Sequence, residues 1–160
     1  MYNILFICYG NICRSPMAEM IFKDLVYNNN KKYLFNCNSK AISMEEYGND
    51  IYPKAKKVLI DHNVTVEKHY SNIVKKEDYN NYDYIICMDN INYNYLIKLF
   101  NGDKDSKIKL LMSFTGNEEE IEDPWYTDRF EKVFNQINEG CIALFNYLVE
   151  KSKIDFNDEW

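Results

Sequence analysis

Long apolar runs are missing from this sequence: none approaches the ~20 residues that a bilayer-spanning helix needs, so no membrane role is expected. The apolar opening "MYNILFIC" has neither a basic leader nor a small-residue cleavage site, so it does not read as a secretory signal. Basic density is missing too. Beyond pairs such as Lys31-Lys32 and Lys75-Lys76 there is no Lys/Arg cluster, and the formal net charge is −6. A nucleic-acid partner would need a basic footprint, so none is expected. There is no Gly-Lys phosphate loop of the nucleoside-triphosphate kind. No second cysteine pair or histidine cluster completes a four-ligand metal site around Cys8 and Cys13, so neither metal nor other cofactor is expected. Five cysteines, an odd number with no export signal, argue for free thiols and a cytoplasmic protein. Any anion site must therefore be local, built from backbone donors and one or two basic side chains.

What is present reads as one domain over residues 1–160, with the last eight or so as a tail. A chain of this length buries about two thirds of its unfolded surface. Strands are expected at Asn3–Cys8, Tyr33–Asn38, Tyr84–Met88 and Ile108–Met112. Helical spacing follows Ser15 as a cap with Pro16 in the first turn, then runs from Pro53 to His62, over Asn90–Phe100 and over Arg129–Lys151. Strands alternating with helices predict an α/β fold, a mostly parallel sheet covered on both faces. In such folds ligands bind at the carboxyl ends of strands, which is where Cys8 sits.

The stretch "CYGNICRS", Cys8 to Ser15, reads as a nucleophile with an anion cradle. A loop turning from strand into helix points backbone N–H groups inward, and the helix start adds positive charge. Gly10 supplies permissive dihedrals and Asn11 tolerates left-handed geometry. Arg14, six residues after Cys8, can grip two oxygens of a tetrahedral anion. The same environment favours the thiolate of Cys8, a nucleophile in line with bound phosphate. Ser15 can hydrogen-bond that sulfur. A free cysteine is commonly a small buried hydrophobe; the C-x5-R-S spacing directly after an apolar strand argues otherwise.

"CYGNICRSPMAE", "YDYIICMD" and "EDPWY", in that order, closely resemble the signature loop, third strand and acid loop of the low-molecular-weight protein tyrosine phosphatases. The resemblance spans nearly the whole chain. It implies a three-layer, flavodoxin-like fold with a four-stranded parallel sheet in the order 2-1-3-4. It further implies a metal-free tyrosine phosphatase acting through a phosphocysteine, with a phosphate-binding loop made of Tyr9, Gly10, Asn11, Ile12, Cys13, Arg14 and Ser15. Phosphotyrosine proteins or peptides would be substrates of a monomer, with inorganic phosphate and vanadate as inhibitors. Expelling a phenolate needs a proton, and the family draws it from the aspartate of Asp-Pro, here Asp123. Glu118, Glu119, Glu120 and Glu122 are expected to help keep Asp123 protonated. Trp125 and Tyr126 would line the aryl slot with Tyr9 at the rim. Asn11, Ser15, Ser39 and His69 match the family's loop-supporting network, whereas His62 reads as an ordinary surface histidine. Cys13 matches the cysteine that can pair with the nucleophile on oxidation and capture its sulfenic acid reversibly.

The rim departs from the family. "SKAISMEEYG" places Glu45 where relatives have a pocket-walling aromatic, with Tyr47 close by as a substitute. "YPKA" puts Tyr52 and Lys54 where a charged pair is usual, and "HYSNI" lacks the Arg-Gln of many members. Three rivals remain. Arsenate reduction would need a relay of further thiols, and Cys87 and Cys141 do not form one. Arginine-specific phosphatases of this family carry Thr where this chain has Ile12. A phosphocysteine carrier would keep the phosphate on Cys8 and would need no general acid.

Overall fold

In the computed structural model, residues 1–156 are described. The order of elements is β1 (Tyr2–Cys8), α1 (Arg14–Asn28), β2 (Phe35–Ala41), α2 (Pro53–Asp61), α3 (Asp78–Asn81), β3 (Tyr84–Cys87), α4 (Asn90–Leu99), β4 (Ile108–Leu110), α5 (Pro124–Thr127) and α6 (Phe130–Asp155). The four strands form one parallel sheet in the order β2-β1-β3-β4, as expected. Because strand side chains alternate, β1 feeds two cores. Tyr2, Ile4, Phe6 and Cys8 face α1, α2 and α6, while Leu5 and Ile7 join Ile85, Cys87 and Leu96 on the other face. The larger core is strongly aromatic. Phe22 meets Phe35 edge-on at 5.2 Å and Phe6 at a tilt at 5.8 Å, geometries that rings prefer to a flat sandwich.

Several expected boundaries shift, for physical reasons. β2 starts later than expected because Lys32–Leu34 form a 3-10 turn, and it runs on through Ser39 and Lys40. Those two polar residues hide the strand signal because their side chains belong to hydrogen-bond networks rather than to a pleated apolar surface. β4 ends at Leu110, where Ser113 Oγ donates to the Leu110 carbonyl and the chain tightens into a 3-10 turn over Leu111–Thr115. α1 begins at Arg14 with no side-chain cap, so Ser15 is not its cap; its hydroxyl is used elsewhere. Helix α6 continues to Asp155, and Tyr2 Oη donates to Asp155 at 2.8 Å. The expected tail is therefore helical through residue 155, and its residues 157–160 lie outside those described. No helix among the described residues is long and apolar enough to cross a membrane.

Helix α6 lies close to the turn after β4 only because residue 140 lacks a side chain. A Cβ on Gly140 would fall 2.6 Å from Leu111 Cγ, and Leu111 is fully buried. Gly140→Ala should therefore lower unfolding stability by about 1–2 kcal/mol, overpacking outweighing the ~1 kcal/mol that alanine gains in a helix. Urea denaturation checks the sign; a stabilised variant would show that the two elements part without cost.

Candidate active site

The sheet delivers Cys8 to the carboxyl end of the central strand β1, and the chain turns at once into α1. Within that turn, the backbone N–H of Asn11 donates to Cys8 Sγ at 3.3 Å and Ser15 Oγ lies 3.0 Å from the same sulfur. The direction of the second bond follows by counting protons. Asn11 Nδ2 gives one hydrogen to Ser15 Oγ (2.8 Å) and one to Ser39 Oγ (3.0 Å). A hydroxyl has a single proton, so Ser15 is left to donate to Cys8 and Ser39 to Glu19, whose Oε1 is 2.6 Å away. Lys23 Nζ then bridges Glu19 and Glu67 at 2.6 and 2.9 Å.

The loop itself is held by what surrounds it. Asn11 sits at φ 59° and is the left-handed residue of the turn. Gly10 does not take positive φ, contrary to expectation; a Cβ there would meet Glu46 Cγ at 3.4 Å, an ordinary contact. His69 is buried and places Nε2 2.6 Å from the Asn11 carbonyl, and because a carbonyl only accepts, Nε2 carries the proton. Ser71 Oγ donates to the Gly10 carbonyl at 2.8 Å, and the Asn72 N–H to Asn11 Oδ1 at 3.1 Å.

The Arg14 guanidinium is almost wholly buried. It donates to Asp89 Oδ2 at 2.7 Å and to the Ile121 carbonyl at 2.9 Å, and its other arm lies 3.5 Å from Asp123 Oδ2. Burial alone would lower its pKa, but the charges of Cys8, Asp89 and Asp123 outweigh burial and raise it. Asp89 also caps α4 through the Asn92 N–H, and Asp123 caps α5 through the Trp125 N–H at 3.1 Å. Burial, followed by the neighbouring Cys8, likewise pushes the Cys13 thiol up, favouring its protonated form.

Cys8, Tyr9, Gly10, Ile12, Cys13, Arg14, Glu45, Glu46, Asp123, Trp125 and Tyr126 line a pocket of about 120 Å³. A larger cavity of about 530 Å³, between α1, β2 and residues 65–67, touches none of the loop residues. Tyr47 is exposed and does not line the pocket, so it does not substitute for the missing aromatic; Glu46 lines it instead. Two of the glutamates expected around Asp123, Glu120 and Glu122, are occupied elsewhere. Glu122 pairs with Lys132 at 2.6 Å and Arg129 at 2.8 Å. Its hydrogen bonds to Lys132, Thr127 and Arg129 hold its pKa down at about 2. Glu120 accepts the Asn90 N–H at 2.8 Å. Among the described residues, the ion-pair partner of Asp123 is Arg14.

The family model for low molecular weight phosphotyrosine protein phosphatases matches residues 3–154. The chain belongs to this family. It is 36% identical over 152 residues to the low molecular weight phosphotyrosine protein phosphatase of Gallus gallus, covering 93% of this chain and 94% of that one. It is 31% identical over 156 residues to the low molecular weight protein-tyrosine-phosphatase YfkJ of Bacillus subtilis, covering 96% and 100%. The crystal structure of YfkJ superposes with a TM-score of 0.91 over 94% of this chain and 96% of that one. That of SP-PTP from Streptococcus pyogenes, at 33% identity, does so with 0.85 over 97% and 98%.

In this family member the structure brings together Cys8, Arg14 and Asp123, and the supports Asn11, Ser15, Ser39 and His69. It adds Glu19, Ser71, Asn72 and Asp89, which sequence reasoning missed. Asp89 carried one readable signal, an acidic residue at the strand end starting a helix, which also describes an ordinary cap. Asn11→Ala should cost about 2–4 kcal/mol of stability, the sum of left-handed strain and stranded buried partners. Asn11→Gly, freed of the strain, should recover about 1 kcal/mol of that. Equal urea midpoints for the two variants would remove the backbone part of this account.

Proposed function

We propose that the chain hydrolyses phosphotyrosine monoesters of proteins or peptides through a phosphocysteine formed on Cys8. One observation carries this reading: a single pocket holds Cys8 Sγ, a buried guanidinium and a carboxylate that caps a separate loop. Backbone N–H groups of the turn and the Arg14 fork bind the phosphoryl oxygens. The sulfur attacks phosphorus, an S–P bond forms and the P–O bond to the ring breaks. Asp123, protonated at that moment, gives its proton to the departing phenolic oxygen. As a carboxylate it then takes a proton from water, whose oxygen attacks phosphorus. Inorganic phosphate leaves and the sulfur departs as a thiolate, stabilised by the Ser15 hydroxyl. Asp89 positions the guanidinium throughout.

The apolar Ile12 in the pocket lining suits a phenyl ring and supports tyrosine over arginine as the phosphorylated residue. All five cysteines are free and buried, which supports a cytoplasmic setting, where thiols stay reduced. We read Cys13 as the thiol that would capture a sulfenic acid on Cys8, since both line the pocket. The protein is taken as a monomer that phosphate and vanadate inhibit by occupying the loop.

Steady turnover of p-nitrophenyl phosphate is the deciding experiment. A catalyst releases many equivalents of nitrophenol, whereas a carrier stops after one. Cys8→Ser should abolish release, and Asp123→Asn should lower kcat/KM by about 10²–10⁴, most for the poorest leaving groups. Full activity of Cys8→Ser would end this reading.

A separate expectation concerns sequence flanks. Glu45 and Glu46 line the pocket beside Arg14, the one cation lining it among the described residues. Phosphotyrosine peptides with adjacent lysine should therefore show a lower KM than those with adjacent aspartate, the gap narrowing at high salt. A preference for acidic flanks would contradict the rim assignment.

A further inference from the structure

Tyr52 and Lys54, the two positions where "YPKA" departs from the family's charged pair, both reach the acid loop. The Tyr52 ring meets the Trp125 ring at 4.9 Å with an interplanar angle of 63°, and stacks on Phe130 at 5.9 Å and 21°. Its backbone N–H donates to the Ile12 carbonyl at 2.8 Å. Lys54 Nζ pairs with Asp128 at 2.6 Å. One residue thus touches the phosphate loop through its backbone and both ends of the short segment carrying α5 through its ring.

We propose that Tyr52 is a positioning residue for the leaving-group half of the reaction, holding Trp125 as the wall of the aryl slot and, through it, orienting Asp123. The inference rests on the functional reading above. The link from ring to acid is short. Trp125 donates its backbone N–H to Asp123 Oδ1, so a displacement of Trp125 moves the donor that fixes the carboxyl. Trp125 is half exposed, and α5 has only four residues, too few to hold its own orientation. A neighbouring ring supplies what the helix lacks. The Lys54–Asp128 pair is exposed on both sides and contributes little by comparison.

A merely structural role would slow all substrates alike, so the test reads kcat/KM across aryl phosphates of rising leaving-group pKa. For Tyr52→Leu, which keeps apolar volume, the loss on phenyl phosphate should be about tenfold, the kinetic equivalent of the aromatic contacts removed. On p-nitrophenyl phosphate, whose leaving group needs less protonation, the loss should be much smaller. Tyr52→Phe, which keeps the ring, should restore the parental dependence on leaving group. Tyr52→Ala is a second reading, with urea midpoints confirming that each variant is folded. Equal losses on both substrates, no loss on either, or failure of Tyr52→Phe to restore the profile would overturn the proposal. Activity of the parent that survives Cys8→Ser would instead overturn the functional reading, so the two failures are distinguishable.

Discussion

Everything at the site depends on Asn11 holding a left-handed turn inside the protein. Its side chain and backbone together engage Cys8, Ser15, Ser39, His69 and Asn72. A buried polar group without a partner costs about 1–3 kcal/mol, so a fully satisfied network of this size has one low-energy arrangement. That arrangement points the Ser15 proton at the sulfur. The direction is set by the carboxylate of Glu19 at the far end, which can only accept and so orders every donor between itself and Cys8.

Arg14 imposes the second constraint. A buried guanidinium is tolerable only where negative charge and acceptors surround it, and here they come from two parts of the chain. Asp89 arrives on the loop after β3, the Ile121 carbonyl on the acid loop, and Asp123 two residues later. The sheet order explains the meeting: β1 and β3 are neighbours, so the ends of both strands open on the same edge. The same residue that would bind phosphate thereby fixes the acid loop against the phosphate loop.

How much of this was legible follows from how each residue earns its place. The Cys8–Ser15 stretch and the Asp-Pro at 123 could be read because their chemistry lies within a few consecutive residues. The sheet could be read because β1 and β3 are apolar runs, and α6 because its apolar face repeats over many turns. Glu19, Ser71, Asn72 and Asp89 could not, because each is a lone polar residue whose partner is distant in sequence and adjacent only after folding. Ser39 and Lys40 even concealed the end of β2, their polarity serving networks rather than the pleat. The short helices α3 and α5 have too few residues to show a period at all.

Loop and rim differ in how tightly they can be specified. Changing one residue of the buried network strands the partners of several others, so substitutions in the loop are costly. Rim residues answer to weaker demands: Trp125 and Tyr126 are half or more exposed, and Glu45 is exposed as well. Charges there are screened over about 8–10 Å and each contact is worth little. Drift at the rim therefore leaves the chemistry standing while changing what is presented to it. Tyr52 lies on the boundary between these regimes. Its backbone belongs to the loop through Ile12, and its ring belongs to the rim through Trp125, so a change of side chain at this one position can reach Asp123 without disturbing Cys8.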